Sequence, residues 1–329
     1  MRDDDVATLD TGACDRAKGC LLGQVIGDAL GSLVEFRTPQ SIRAEHPSGV
    51  REITGGGTWR TIPGQPTDDS ELALALAHSL CREGRFDLSS VRAAYVVWME
   101  SGPFDCGATT RRGLAGWADP TSQANGALMR VSPLGIFGAY LARDVTAAWA
   151  SADAGITHPV AVCRQASALF ACAIASAIRE AQSSESVYRA IRSHADALQA
   201  ESLLLQAIDD AAMAPPADYV HQSGWVLTAF RNALWQLLHA PSFEEALVDT
   251  VGRGGDTDTN AAICGALLGA VHGMGAIPPR WVDTVLACRP SANDPAVPLP
   301  RPREYWPCDA PELAVSLLAA GARQARAAE

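Results

Sequence analysis

Residues 163–181 read Cys-Arg-Gln-Ala-Ser-Ala-Leu-Phe-Ala-Cys-Ala-Ile-Ala-Ser-Ala-Ile-Arg-Glu-Ala. Alanine is the strongest helix former, apolar residues recur at spacings of three and four, and no glycine or proline interrupts the run. The stretch therefore predicts a helix with a broad apolar face. Working outward, residues 186–212, 224–238 and 243–251 repeat the same periodicity, while alternating β-branched and aromatic runs are scarce. The fold class is all-α. Proline and glycine gather in residues 38–66, 101–125, 214–223 and 289–307. None of these segments reads as a flexible linker, so residues 15–329 are assigned to one domain behind an acidic extension over 1–14. The repeated prolines of 298–307 read as an extended strap ahead of a last helix over 311–328.

The first helix, about residues 15–36, has glycines at 19, 23, 27 and 31. A glycine inside a helix costs about 1 kcal/mol relative to alanine, so a one-sided row of four needs a compensating contact. It predicts the close approach of a second helix backbone. Asp28 lies among these small residues and is expected to be a buried hydrogen-bond acceptor for a neighbouring helix start.

The chain has 329 residues, 48% hydrophobic and 19% charged, enough for a large core. A net charge of −11 without a basic run argues against a nucleic-acid surface, so an anionic ligand would have to be held by local donors. Nine scattered cysteines without a C-x-x-C pair signal neither a zinc ribbon nor a disulfide frame. No apolar stretch is read as reaching the roughly 18 residues of a membrane span, and Asp3, Asp4 and Asp5 stand where a signal peptide would be basic. The expectation is a soluble, cytoplasmic protein with no membrane partner.

Two acidic clusters precede apolar helical runs: Thr67-Asp68-Asp69-Ser70 and Asp256-Thr257-Asp258-Thr259. Capping is the ordinary explanation, since Asp, Ser and Thr are favoured N-caps. One cap needs one oxygen, however, and each cluster carries a surplus. If both helix starts meet, four carboxylates share a volume that only cations make tolerable, and an all-oxygen donor set suits Mg2+ or Mn2+ better than zinc.

Taken in order, Gly23-x-x-x-Gly-Asp-Ala-Leu-Gly-x-x-x-Glu35-Phe36, Thr67-Asp-Asp-Ser, Asn125-Gly-x-x-Met-Arg130, Thr157-His158-Pro159 and Gly254-Gly-Asp-Thr-Asp-Thr-Asn260 resemble the ADP-ribosylglycohydrolase family, from about residue 15 to about 290. The segment Gly102-Pro-Phe-Asp105-Cys-Gly107 is most similar to the bacterial branch that removes ADP-ribose from arginine, typified by dinitrogenase reductase-activating glycohydrolase. The resemblance implies a single-domain orthogonal helical bundle with a dinuclear metal site in a central cleft. It further implies a metal-dependent glycosidase that hydrolyses the N-glycosidic bond of ADP-ribosylated protein side chains, arginine first and serine or other ADP-ribose conjugates as the alternative.

By the same resemblance, two Mg2+ (or Mn2+) ions are held by Thr67, Asp68 and Asp69 from one side and by Asp256, Asp258 and Thr259 from the other. Ser70 and Thr257 would brace the ligands. Glu35, which from the residues alone is an ordinary helix-end glutamate, becomes the movable acid that handles the attacking water. Asp105, a turn former or a guanidinium partner on equal terms, becomes the latter. Ser122, Asn125, Gly126, Arg130 and His158 become substrate-binding residues, although Arg130 could instead be a structural cation and His158 a capping or packing residue. Gly55-Gly56-Gly57 is a weaker candidate for phosphate. Partners implied are the ADP-ribosylated protein and the ADP-ribose product; the acidic extension reads first as a disordered charged tail and, as the alternative, as the contact through which some relatives that act as immunity proteins bind a toxin ADP-ribosyltransferase. A nucleotide phosphatase would share the carboxylates, and a non-catalytic binder would have lost some of them.

Overall fold

The computed structural model describes residues 9–328, and among these there are fifteen α-helices and no β-strand. In order they are α1 (Thr11–Gly31), α2 (Pro39–Glu45), α3 (Asp68–Glu83), α4 (Leu88–Glu100), α5 (Ala108–Leu114), α6 (Ser132–Phe137), α7 (Arg143–Gly155) and α8 (Ala161–Glu180). There follow α9 (Ser184–Ala197), α10 (Ser202–Ala211), α11 (Val226–His239), α12 (Phe243–Gly252), α13 (Thr257–His272), α14 (Pro279–Ala287) and α15 (Ala310–Ala328). Residues 1–8, on which most of the acidic extension and its toxin contact rest, lie outside the described residues.

The glycine row of α1 finds its partner in α13, and this is the most extensive helix contact in the chain. A β-carbon placed on Gly19, Gly23, Gly27 or Gly31 would fall on the carbonyl oxygens of Gly269, Gly265, Ala261 and Thr257 respectively. Gly265 and Gly269 return the same contact onto the carbonyls of Gly23 and Gly19. The pairing runs in opposite directions along the two helices, so the end of α1 lies beside the start of α13. The remaining helices pack around this pair. α8 lies against α7, α6 and α13, and α15 crosses α1 and α6, with Gly321 seated on the Phe137 carbonyl.

Three sequence expectations need correction. The helix expected over 186–212 is two helices, because Gln199 turns left-handed (φ 50°) between α9 and α10. α1 starts at Thr11, capped by the Asp10 carboxylate, and stops at Gly31, so Glu35 stands beyond the helix rather than at its end. The Gly31 carbonyl, which in a continuing helix would accept from the Glu35 N–H, accepts from the Val34 N–H at 3.1 Å in a tighter turn and from the Thr257 hydroxyl at 2.7 Å. Finally, α8 is long and apolar enough to cross a membrane by length and composition, contrary to the reading above, but 78% of its apolar window is buried inside the fold. Its apolarity is used for packing.

Gly23→Ala is expected to lower the free energy of unfolding by about 2–4 kcal/mol in urea denaturation, since the new methyl overlaps backbone that cannot rotate away. Alanine otherwise favours a helix by about 1 kcal/mol, so a stabilised variant would contradict the backbone contact.

Candidate metal centre and active-site cleft

Neither acidic cluster caps its own helix. Thr67 and Asp256 occupy the N-cap positions of α3 and α13 without a side-chain cap bond. At α3 the capping is done from outside by Asp28 of α1. Its Oδ1 accepts from the Thr67 N–H at 3.0 Å and the Thr67 hydroxyl at 2.9 Å, and its Oδ2 from the Ser70 N–H at 3.0 Å and the Ser70 hydroxyl at 2.6 Å. Burial still pushes this carboxyl up to about 6 against those four donors. Asp28 thus relieves Asp68 and Asp69 of capping, as expected for it, and leaves them facing the cleft.

The cleft has a volume of about 280 Å³. Asp68, Asp69, Asp256, Asp258 and Thr259 line it from the two helix starts, and Glu35 and Asp105 line it from the loops after α1 and α4. Asn125, Gly126 and His158 complete the wall. Ten of the thirteen candidate residues therefore share one cavity. Asn125 is held by its amide, whose Nδ2 donates to Asp256 Oδ2 at 2.7 Å, and by its own N–H on the Gly224 carbonyl. The Gly107 N–H donates to Asp68 Oδ2 at 3.1 Å.

So many carboxyls in one enclosure raise one another. Glu35 and Asp105 are each pushed up to about 8, chiefly by burial and then by a neighbouring carboxylate, and Asp68 is raised to about 7. Burial holds Asp69 and Asp258 well above the ordinary range. Oδ1 of Asp69 and Oδ1 of Asp258 are buried with no hydrogen-bond partner. Oxygens from Glu35, Asp105 and Asp258 lie within 4.8 Å of one another, and ligands on opposite sides of a Mg2+ or Ca2+ ion are about 4–5 Å apart. A hard cation fits this donor set. The tightest group includes the two residues expected to work on water and leaving group, so metal and acid–base positions adjoin.

Three candidate residues do not line the cleft. Thr67 turns its hydroxyl inward to Asp28 and Asp69. Ser122 pairs with the Thr109 hydroxyl at 2.8 Å. Arg130 is wholly buried behind the wall, where its guanidinium binds Asp153, the Thr157 hydroxyl and the Gly126 carbonyl and lies 4.6 Å from the Tyr95 ring centroid. It is a structural cation, although its partner is Asp153 and not the acidic cleft. A direct substrate contact by Arg130 is thereby corrected.

Sequence reading missed three residues. Trp59 donates its indole N–H to Glu35 Oε2 at 2.6 Å and faces Phe104 with ring centroids 6.0 Å apart. The glycine triplet before it serves this placement: a β-carbon on Gly57 would meet the backbone of Ser32 and Leu33, and the Thr58 hydroxyl binds the Glu35 carbonyl. Phe36 lines the cleft with 62% of its surface exposed and a left-handed backbone (φ 64°). Thr110 lines the cleft beside Gly126 with a buried hydroxyl that has no partner. Only the tryptophan after a glycine triplet carried a visible signal.

The family model described as ADP-ribosylglycohydrolase matches residues 9–304. The chain is 32% identical over 292 residues to "ADP-ribosylarginine hydrolase Tri1" of Pseudomonas putida (strain GB-1), covering 83% of this chain and 75% of the relative. It is 33% identical over 287 residues to "ADP-ribosyl-[dinitrogen reductase] glycohydrolase" of Rhodospirillum rubrum, covering 82% and 90%. A solved structure described as an ADP-ribosylglycohydrolase-related protein complex superposes with a TM-score of 0.77 at 28% identity, covering 94% of this chain and 99% of that one.

Carboxyls whose folded pKa is raised make the fold bind more protons than the unfolded chain between about pH 4 and about pH 8. Metal-free stability is then greatest below the unfolded pKa and falls as pH rises through that window. Mg2+ or Mn2+ at pH 8 should raise Tm and flatten the fall, and Asp69→Asn should do part of this without metal. A metal-free Tm that stays level from about pH 5 to 8 would contradict the electrostatics.

Proposed function

The chain belongs to the ADP-ribosylglycohydrolase family, and on that premise we propose that it removes ADP-ribose from ADP-ribosylated protein, with arginine as the modified side chain. The observation that carries this reading is the convergence of Glu35, Asp105 and Asp258 at one point of the cleft, alongside relatives named for ADP-ribosylarginine and ADP-ribosyl-dinitrogen reductase hydrolysis.

In the reaction, water adds to the anomeric carbon of the distal ribose, the carbon–nitrogen bond breaks, and the guanidine nitrogen takes a proton. Glu35, oriented by the Trp59 N–H, receives the proton of the attacking water. Asp105 pairs with the guanidinium, where a carboxylate on planar donors gives both strength and orientation. Burial and a neighbouring carboxylate raise the proton affinity of both carboxyls, which suits Glu35 to take the proton of the water and Asp105 to carry the one that the guanidine nitrogen takes. Two Mg2+ or Mn2+ ions, held by Asp68, Asp69, Asp256, Asp258 and Thr259 with Thr67 beside Asp69, would supply positive charge for the ribose hydroxyls and the water. Asn125 keeps Asp256 in place, and Gly126 and His158 face the rest of the ADP-ribose.

Asp68→Ala and Asp256→Ala are expected to abolish release of ADP-ribose from ADP-ribosylarginine protein and to weaken Mn2+ binding by calorimetry, with the helical circular dichroism unchanged. Glu35→Gln should bind Mn2+ and lower kcat by about 10²–10⁴. Full turnover in that variant would remove Glu35 from the chemistry, and release from serine-modified but not arginine-modified protein would overturn the substrate.

A further inference from the structure

His158 is wholly buried, yet its ring reaches the cleft wall, and its two nitrogens meet different surroundings. Nδ1 lies 2.7 Å from the Thr157 hydroxyl oxygen. That oxygen already accepts from Arg130 Nη1 at 2.9 Å. A guanidinium has no acceptor and does not give up its proton, so it can only donate. The single hydrogen of Thr157 is then free for the other neighbour, and Nδ1 is the group in reach. With that hydrogen on Nδ1 both groups are paired and the ring proton sits on Nε2, whereas the opposite tautomer would turn the Thr157 hydrogen away from Nδ1.

Nε2 is buried without a partner, as is the Thr110 hydroxyl oxygen. The two come together over Gly126, where a β-carbon would stand 2.8 Å from Thr110 Oγ1 and 3.2 Å from His158 Nε2. Both line the cleft. Behind the ring, the arrangement is over-determined. Arg130 Nε donates to Asp153 Oδ2 at 3.1 Å, Arg130 Nη2 donates to the Asp153 carbonyl at 2.9 Å, and the Tyr95 hydroxyl donates to Asp153 Oδ1 at 2.7 Å. The His158 N–H is itself tied to the Ala154 carbonyl. Burial and the Arg130 guanidinium hold the ring's pKa down at about 3, which keeps it neutral.

We propose that Arg130 and Thr157, neither of which lines the cleft, are positioning residues that lock His158 as the Nε2–H tautomer, so that Nε2–H and the Thr110 hydroxyl present two donors to an oxygen acceptor of the ligand. An imidazolium is excluded from this role by the cation behind it, and the opposite tautomer would face the ligand with a lone pair. A phosphate or ribose oxygen is the acceptor chemistry that matches two neutral donors on a glycine wall. The ligand assignment rests on the ADP-ribose reading given above; the tautomer does not.

Long-range ¹H–¹⁵N correlation spectra of the ligand-free protein at neutral pH test the tautomer directly. The expected result is an unprotonated Nδ1 and a protonated Nε2 for His158. Thr157→Val should shift His158 toward a mixture of tautomers and weaken ADP-ribose binding about tenfold by calorimetry. Thr157→Ser keeps the hydroxyl and should restore both. A protonated Nδ1 in the wild type, or a valine variant with the wild-type spectrum, would overturn the proposal. So would a serine variant as impaired as the valine one. Wild-type protein that shows the expected tautomer but binds no ADP-ribose would sustain the lock and count against the ADP-ribose reading instead.

Discussion

The backbone contact between α1 and α13 is the constraint from which the site follows. Glycines on both helices remove the side chains that would separate them, and the opposite directions of the chains bring the end of α1 to the start of α13. The join is tightened by the Thr257 hydroxyl on the Gly31 carbonyl, and by Phe36 and Gly255, whose N–H groups bind the Gly255 and Arg37 carbonyls. Glu35 thereby comes into the company of Asp258. The same α1 carries Asp28, which gathers the start of α3 and with it Asp68 and Asp69. One glycine-lined helix thus organises both acidic clusters.

Such a site works against the stability of its own fold. The N-termini of α3 and α13 direct their positive ends at the cleft, but a helix end carries only about half a charge, and several buried carboxyls exceed what two ends can offset. The remaining deficit is the physical reason for a cation. Support comes from behind, where charges are paired. Glu71, in the first turn of α3, is gripped in a two-pronged ion pair by Arg301 at 2.7 and 2.8 Å and by the Trp98 indole at 2.7 Å. Arg301 also binds the carbonyl and hydroxyl of Ser101, ahead of the loop that carries Asp105. The proline-rich strap before α15, which has no evident purpose in the sequence, delivers this arginine.

Much of this was legible from residue types and spacing. The glycine row implied a close helix, the surplus oxygens in two clusters implied more than capping, and Asp28 among small residues implied a buried acceptor for a helix start. What could not be read was partnership across the fold. The sequence shows that α1 needs a close neighbour, but not that the neighbour is α13. It shows an arginine after Asn125-Gly126, but not that Asp153 draws it behind the wall. Helix ends were misplaced where a tertiary bond competes with the next helical turn, as at Gly31, and where a residue other than glycine turns left-handed, as at Gln199. Trp59 is marked locally only by the glycine triplet before it, which does not reveal Glu35 as its partner, and Thr110 has no local mark at all.

The central claim is that the two helix starts form one cation site. Anomalous diffraction from crystals soaked in Mn2+ tests it most directly. The account predicts manganese within coordination distance of carboxylates from both Asp68-Asp69 and Asp256-Thr257-Asp258. Manganese bound to one cluster alone, or found only outside the cleft, would contradict it.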